Sequence, residues 1–193
     1  MYLVKLIIII FASTADSFII GFNYGLKKIR INNISNLYIA LVTCIGTFLS
    51  MQFGRLINSF LSTHQSDMIG GAVLIGLAVY MLKSTFFPQK GKIQDLTENP
   101  AIVDTDHSSV IELRESLVIG ILLCINNIGM GVGAGITGMP SFLTSFLCAV
   151  ASFIFIRGGS VLGNLIHTGK ISKYLEVISA LLVLCLGILG FCS

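Results

Sequence analysis

The chain has 193 residues, of which 54% are hydrophobic and 11% charged, and its mean hydropathy is +0.92. That balance excludes a soluble globular domain and points to an all-α integral membrane protein whose first partner is the lipid bilayer. The net charge of +3 gives no reason to expect nucleic acid, because the basic residues flank apolar segments, where topology explains them.

Six apolar segments are predicted as transmembrane helices, at about 3–26, 37–61, 68–87, 117–138, 141–165 and 174–191. Most approach the ~20 residues needed to cross the hydrocarbon core, the third and sixth being the shortest. The first is too long, and holds Asp16 too late, to read as a cleaved signal peptide.

Asp16 lies near the middle of that first segment. A carboxylate at such depth costs roughly 2.5–3.5 kcal/mol on insertion scales, which makes it a candidate functional residue. Ser13, Asp16, Ser17 and Asn23 fall on one broad helical face, with Gly21 and Gly25 close by. In the second segment Thr43, Thr47, Ser50 and Gly54 form a narrow stripe of small and polar residues. Such a stripe either contributes oxygen ligands or simply lets membrane helices pack.

The polar stretch 88–116 separates the halves. Asp104, Asp106, Ser108, Val110 (through its carbonyl), Glu112 and Glu115 occupy positions 1, 3, 5, 7, 9 and 12 of an EF-hand-like loop, a candidate Ca²⁺ or Mn²⁺ site. Ser109 stands where such a loop wants glycine. The alternative is an acidic solvated linker with a chance match to the motif.

The fourth segment echoes the first. Asp16–Ser17–x₃–Gly21–x₃–Gly25 returns as Asn126–Asn127–x₃–Gly131–x₃–Gly135. Gly54 falls opposite Gly163, and Gly76 opposite Gly187. The chain therefore reads as a 3+3 inverted repeat, with halves 1–87 and 117–193 joined by a cytoplasmic linker, 88–116. One polar centre per half at matching positions is how many secondary transporters build a midplane site. Carboxylate, amide and hydroxyl oxygens together suit a small hard cation such as Mn²⁺. Arg157, in the fifth segment, either pairs with Asp16, which lies at compatible depth, or snorkels to the interface as a gating or surface residue.

Lys27, Lys28 and Arg30 follow the first helix, Lys83, Lys90, Lys92 and Arg114 lie around the linker, and Lys170 and Lys173 precede the last helix. By the positive-inside rule these loops are cytoplasmic and both termini are outside. Cys44, Cys124, Cys148, Cys185 and Cys192 show no CxxC spacing and read as reduced packing residues. His64, His107 and His167 show no ligand spacing. No GxSxG, HExxH or phosphate-binding loop is present, so an enzyme is not expected.

Ala15–Asp16–Ser17–Phe18 and Gly21–Phe22–Asn23–Tyr24–Gly25–Leu26–Lys27–Lys28 resemble the first helix of YtaF-type sporulation membrane proteins. Gly70–Gly71–x₃–Ile75–Gly76 resembles that family's third helix, and Asp104–x–Asp106–x–Ser108–x₂–Ile111–x₃–Glu115 its linker. That family is similar in turn to the MntP-type manganese exporters, which have six helices in two repeats and acids in helices 1 and 4. The resemblance implies a multi-pass protein of a bacterial plasma membrane, in the mother cell or forespore, exporting a small inorganic cation. Asp16 matches the first motif acid, while Asn126 stands in place of the second. Self-association into a homo-oligomer is compatible with this reading, as is a non-transporting role in spore assembly with Asp16 and Arg157 as a structural pair.

Overall fold

The computed structural model describes residues 2–86, 100–104, 108–165 and 170–191. Within them run α1 (Tyr2–Leu26), α2 (Asn33–Asn58), α3 (Thr63–Phe86), α4 (Leu113–Ile136), α5 (Ser141–Leu165) and α6 (Lys170–Phe191), with one helical turn at Pro100–Val103. Two short strands, β1 (Arg30–Ile31) and β2 (Val110–Ile111), pair in parallel, with Arg30 opposite Val110 and Ile31 opposite Ile111. The predicted helices are all present, and several start a few residues early because polar first turns continue them.

Local chemistry sets the boundaries. Asn32 caps α2 by accepting the Asn33 N–H at 2.7 Å. Glu112 and Glu115 form a capping box at the start of α4. Helix α1 ends with Lys28 in the left-handed region (φ 59°), where Lys28 N–H donates to Gly25 and Ile29 N–H to Tyr24, each at 3.0 Å. Helix α4 ends in the same motif, with Gly138 at φ 74°, Gly138 N–H donating to Gly135 and Met139 N–H to Ala134.

By length and composition, four helices among the described residues are apolar enough to cross a bilayer, or five when the two parts of α4 count as one span. Those parts, Leu113–Ile125 and Asn127–Ile136, meet at 47°. In α6 the described residues hold a shorter apolar helix, Ala180–Leu189. The multi-pass membrane class thus stands, while the span count by this measure is four or five against the six expected.

Three helix pairs carry most of the packing: α1 with α5, α2 with α4, and α3 with α6. Glycines make the close approach possible. A Cβ on Gly21 would strike the Ile156 carbonyl, one on Gly163 the Phe22 carbonyl, and one on Gly135 the Met51 carbonyl. Exposed Leu3, Ile7 and Phe11 on α1, and Leu41, Ile45, Leu49 and Phe53 on α2, give the bundle an apolar exterior suited to lipid.

Inside, the core divides in two. At the end where α1 begins, Leu6, Ile9, Met51, Leu74, Met130, Ala134, Met139 and Val183 form one cluster. Where α1 stops and α2 begins, Ile20, Tyr24, Ile29, Ile39, Val103, Ile111, Ile119, Leu123 and Ile156 form another. Four helices, α1, α2, α4 and α5, supply a polar stretch between these apolar blocks.

Gly135→Ala should lower the thermal stability of the purified protein by about 1–3 kcal/mol, because the new methyl has backbone in front of it. Gly76→Ala, where nothing stands within 4 Å of the added carbon, should be neutral or gain up to about 1 kcal/mol from helix propensity. Thermal unfolding of both variants in detergent checks the contrast.

Candidate functional site

Ser13, Thr14 and Ser17 fall on one face of α1 because i, i+1 and i+4 share a side of a helix. Thr43 and Thr47 on α2, and Cys148 and Ser152 on α5, are likewise one turn apart. With Asn127 on α4 and Ala149 on α5, these residues line a cavity of about 10 Å³, room for about one water-sized group, between the two apolar clusters. Every polar residue of the lining except Cys148 presents an oxygen.

Their hydrogen bonds decide which way those oxygens face electrically. Thr14 donates its hydroxyl proton to the Ile10 carbonyl at 2.6 Å, and Thr43 donates to the Ile39 and Ala40 carbonyls at 3.0 and 2.9 Å. A hydroxyl that has given away its proton has only lone pairs left to offer. Ser17 and Ser152 share a 2.7 Å bond that ties α1 to α5. Asn127 is only 5% exposed, and its Oδ1 has no hydrogen-bond partner among the described residues. A buried unpaired amide oxygen costs about 1–3 kcal/mol. Thr14, Thr43 and Asn127 Oδ1 thus bring acceptor lone pairs to the lining, which suits a cation or a water molecule.

Of the residues singled out by sequence, Ser13, Ser17 and Asn127 come together here. Asp16 is half-buried on the neighbouring face of α1 and is not part of the lining. Asn23 is half-buried nearly two turns beyond Ser17, level with the second apolar cluster. Asn126 lies in α4 at the bend, and its side chain lies outside what the structure describes. Arg157 is exposed, and its guanidinium donates to Asn33 Oδ1 at the start of α2.

The stripe on α2 divides: Thr43 and Thr47 reach the cavity, while Ser50 donates back to Gly46 and Gly54 packs against α4. Sequence reading left Ser152 unmarked and took Cys148 for packing, yet both line the space. The Gly54–Gly163 correspondence contained a signal for Ser152, since the same offset of 109 residues brings Thr43 onto it.

The linker corrects an expectation. Asp106 lies outside the described residues. Asp104 is buried and spends both oxygens on backbone, accepting from Ser108 N–H and Ser109 N–H at 3.1 Å. Ser108 Oγ donates to the Val110 carbonyl, and Glu112 and Glu115 are engaged in the capping box. Among the described residues no group of three or more His, Cys, Asp or Glu could hold a metal. A linker-bound Ca²⁺ or Mn²⁺ is therefore not supported: the carboxylates that would bind it satisfy orphan N–H groups instead. Ser109 adopts φ 60°, the conformation for which glycine was expected.

Comparisons with known proteins agree with the residue-level resemblance. Residues 1–82 match the Mntp family, described as "Putative manganese efflux pump". The chain is 27% identical over 207 residues to "Probable sporulation protein YtaF" of Bacillus subtilis (strain 168), covering 97% of this chain and 99% of that one. It is 24% identical over 191 residues to "Putative manganese efflux pump MntP" of Bacillus thuringiensis (strain Al Hakam), covering 96% and 94%. To the protein of that name from Oceanobacillus iheyensis it is 33% identical over 81 residues, 42% of this chain and 43% of that one. The names of these relatives describe transport and sporulation, not an enzymatic reaction. No solved structure matches the chain.

Two outcomes are expected at these positions. Ser17→Ala and Ser152→Ala should each destabilise the protein, and the double variant should fall short of additivity by about 0.6 kcal/mol, as for membrane hydrogen bonds generally; a double-mutant cycle in detergent measures it. Ser109→Gly should stabilise the linker turn by about 1 kcal/mol, and added Ca²⁺ should leave its proteolysis rate unchanged.

Proposed function

We propose that this protein is a divalent-cation efflux carrier, with Mn²⁺ as a substrate, in which the mid-bundle cavity holds the ion. The observation that carries the reading is the uncommitted Asn127 Oδ1 at a small space lined by hydroxyl groups, of which Thr14 and Thr43 have donated their protons to backbone. Such an arrangement is costly for an empty core and useful to a cation that sheds part of its hydration shell. The names of the relatives point the same way.

The mechanism is alternating access between two inverted halves, 1–87 and 117–193, each contributing three spans and joined by 88–116. Several contacts support this internal symmetry. Gly21 packs on Ile156 of α5, and Gly131, its counterpart, packs on Ser50 and the Thr47 carbonyl of α2. Gly25 meets Gly163, and Gly135 meets Gly54. The left-handed turns at Lys28 and Gly138 fall in register with the same offset of 110 residues. Each apolar cluster then acts as a gate, and parting one while the other stays closed exposes the cavity to one side only.

Asp16 supplies negative charge beside the lining, and Ser13, Ser17 and Asn127 supply neutral oxygens. Arg157, held at Asn33, stays clear of the ion and braces the gate near the start of α2. Lys27, Lys28, Arg30 and Arg114 gather at that end, which makes it cytoplasmic and puts both termini outside. The membrane is the bacterial plasma membrane. A second reading, a non-transporting part in spore assembly, is favoured by the similarity to the sporulation protein across nearly the whole chain.

The test is cellular Mn²⁺ content in an exporter-deficient bacterium expressing this chain. The unmodified protein should lower Mn²⁺, and Asn127→Leu or Asp16→Asn should slow efflux by about tenfold or more, with the protein still present in the membrane. No fall in Mn²⁺ with the unmodified protein inserted, alongside a sporulation defect when it is deleted, would select the second reading.

A further inference from the structure

One group in the cavity is not explained by a lining of neutral oxygens. Cys148 is buried on α5, one turn before Ser152, and borders the same space as Ser13. The other described cysteines are placed differently. Cys124 donates its S–H to the Val42 carbonyl at 3.2 Å, Cys185 is exposed, and Cys44 is half-buried and outside the lining. Among the described residues, then, Cys148 is the cysteine that shares a space with the unpartnered, 95% buried Asn127 Oδ1. A sulfur and an uncommitted oxygen face one volume from two different helices.

We infer that Cys148 is a cation ligand and sets selectivity, extending the substrate class from Mn²⁺ to thiophilic divalent cations such as Zn²⁺ and Cd²⁺. The inference rests on the cation-carrier reading above. Sulfur binds borderline and soft cations in preference to hard ones, for which hydroxyl and amide oxygens suffice. Charge favours it as well. Position 126 carries a neutral amide where its counterpart at position 16 is a carboxylate, and Asp16 stands beside the lining rather than in it, so without a thiolate the lining holds no negative charge. A thiolate supplies one. As the sulfur–metal bond forms the S–H bond breaks, and the proton leaves toward whichever side the cavity opens.

The experiment uses the full chain in detergent or nanodiscs, titrated with CdCl₂ against MnCl₂. A variant with Cys44, Cys124, Cys185 and Cys192 changed to Ser keeps Cys148 as its sole thiol. The expected result is a cadmium–thiolate charge-transfer absorbance that saturates in that variant and in the unmodified protein and is absent from Cys148→Ser. The preference for Cd²⁺ over Mn²⁺ should fall about tenfold or more in Cys148→Ser. A band that survives Cys148→Ser, or no band in the single-thiol variant, overturns the inference; the single-thiol variant answers even if Cys148→Ser does not fold. Mn²⁺ efflux without cadmium–thiolate absorbance would sink this inference and leave the carrier reading standing. Absorbance through Cys148 in a protein that moves neither ion would do the reverse.

Discussion

The structure depends on keeping a layer of polar side chains buried at mid-depth without leaving their protons unpaired. In a low-dielectric interior, a hydroxyl or amide without a partner costs about 1–3 kcal/mol, so the layer must settle its hydrogen bonds locally. Thr14 and Thr43 do so by donating to carbonyls of their own helices, and Ser17 and Ser152 by sharing one hydrogen bond across the α1–α5 contact. What remains directed inward is mostly lone pairs. The same economy that makes the layer tolerable gives the cavity its sign, and Asn127 Oδ1 is the oxygen that this settlement leaves over.

Glycine contacts hold the helices together around this layer. At Gly21, Gly25, Gly54, Gly135, Gly159 and Gly163 the helices touch backbone to backbone. Dispersion between closely packed backbones is a main source of helix association in lipid, where water drives nothing together. These contacts brace α1 on α5 and α4 on α2. Above and below, the two apolar clusters exclude water from the layer and strengthen every electrostatic interaction within it.

The two ends of the bundle are closed differently. Where α1 passes into α2, the linker returns to form the β1–β2 pair, Arg30 N–H donates to the Ser109 carbonyl, and Ser35 Oγ donates to the Ile111 carbonyl at 2.7 Å. Ile111 is fully buried by this. At the other end Met139 and Pro140 follow the corresponding turn, and proline has no N–H to give to a strand. The described part of the linker thus closes this end of the bundle, and Asp104, Glu112 and Glu115 bond to backbone N–H groups as they do so.

The membrane class, the helices and the positions of Ser13, Ser17 and Asn127 were legible in the chain itself. Hydrophobic runs, helical spacing and the echo of one motif in another are local properties, and local properties survive without knowledge of neighbours. Cap chemistry was less so: Glu112 and Glu115 match a metal loop and a capping box equally well in one dimension. Cys148 and Ser152 could not be placed, because an isolated thiol or hydroxyl on an apolar helix carries no mark of what lies opposite. Which face of α5 meets α1, and therefore which side chains border the cavity, is decided where Gly21 and Gly159 let two backbones touch. Asp16 shows the same limit from the other side. Its burial cost was evident from sequence, but the direction of its side chain relative to the cavity is set by helix rotation, which only the packing of the whole bundle determines.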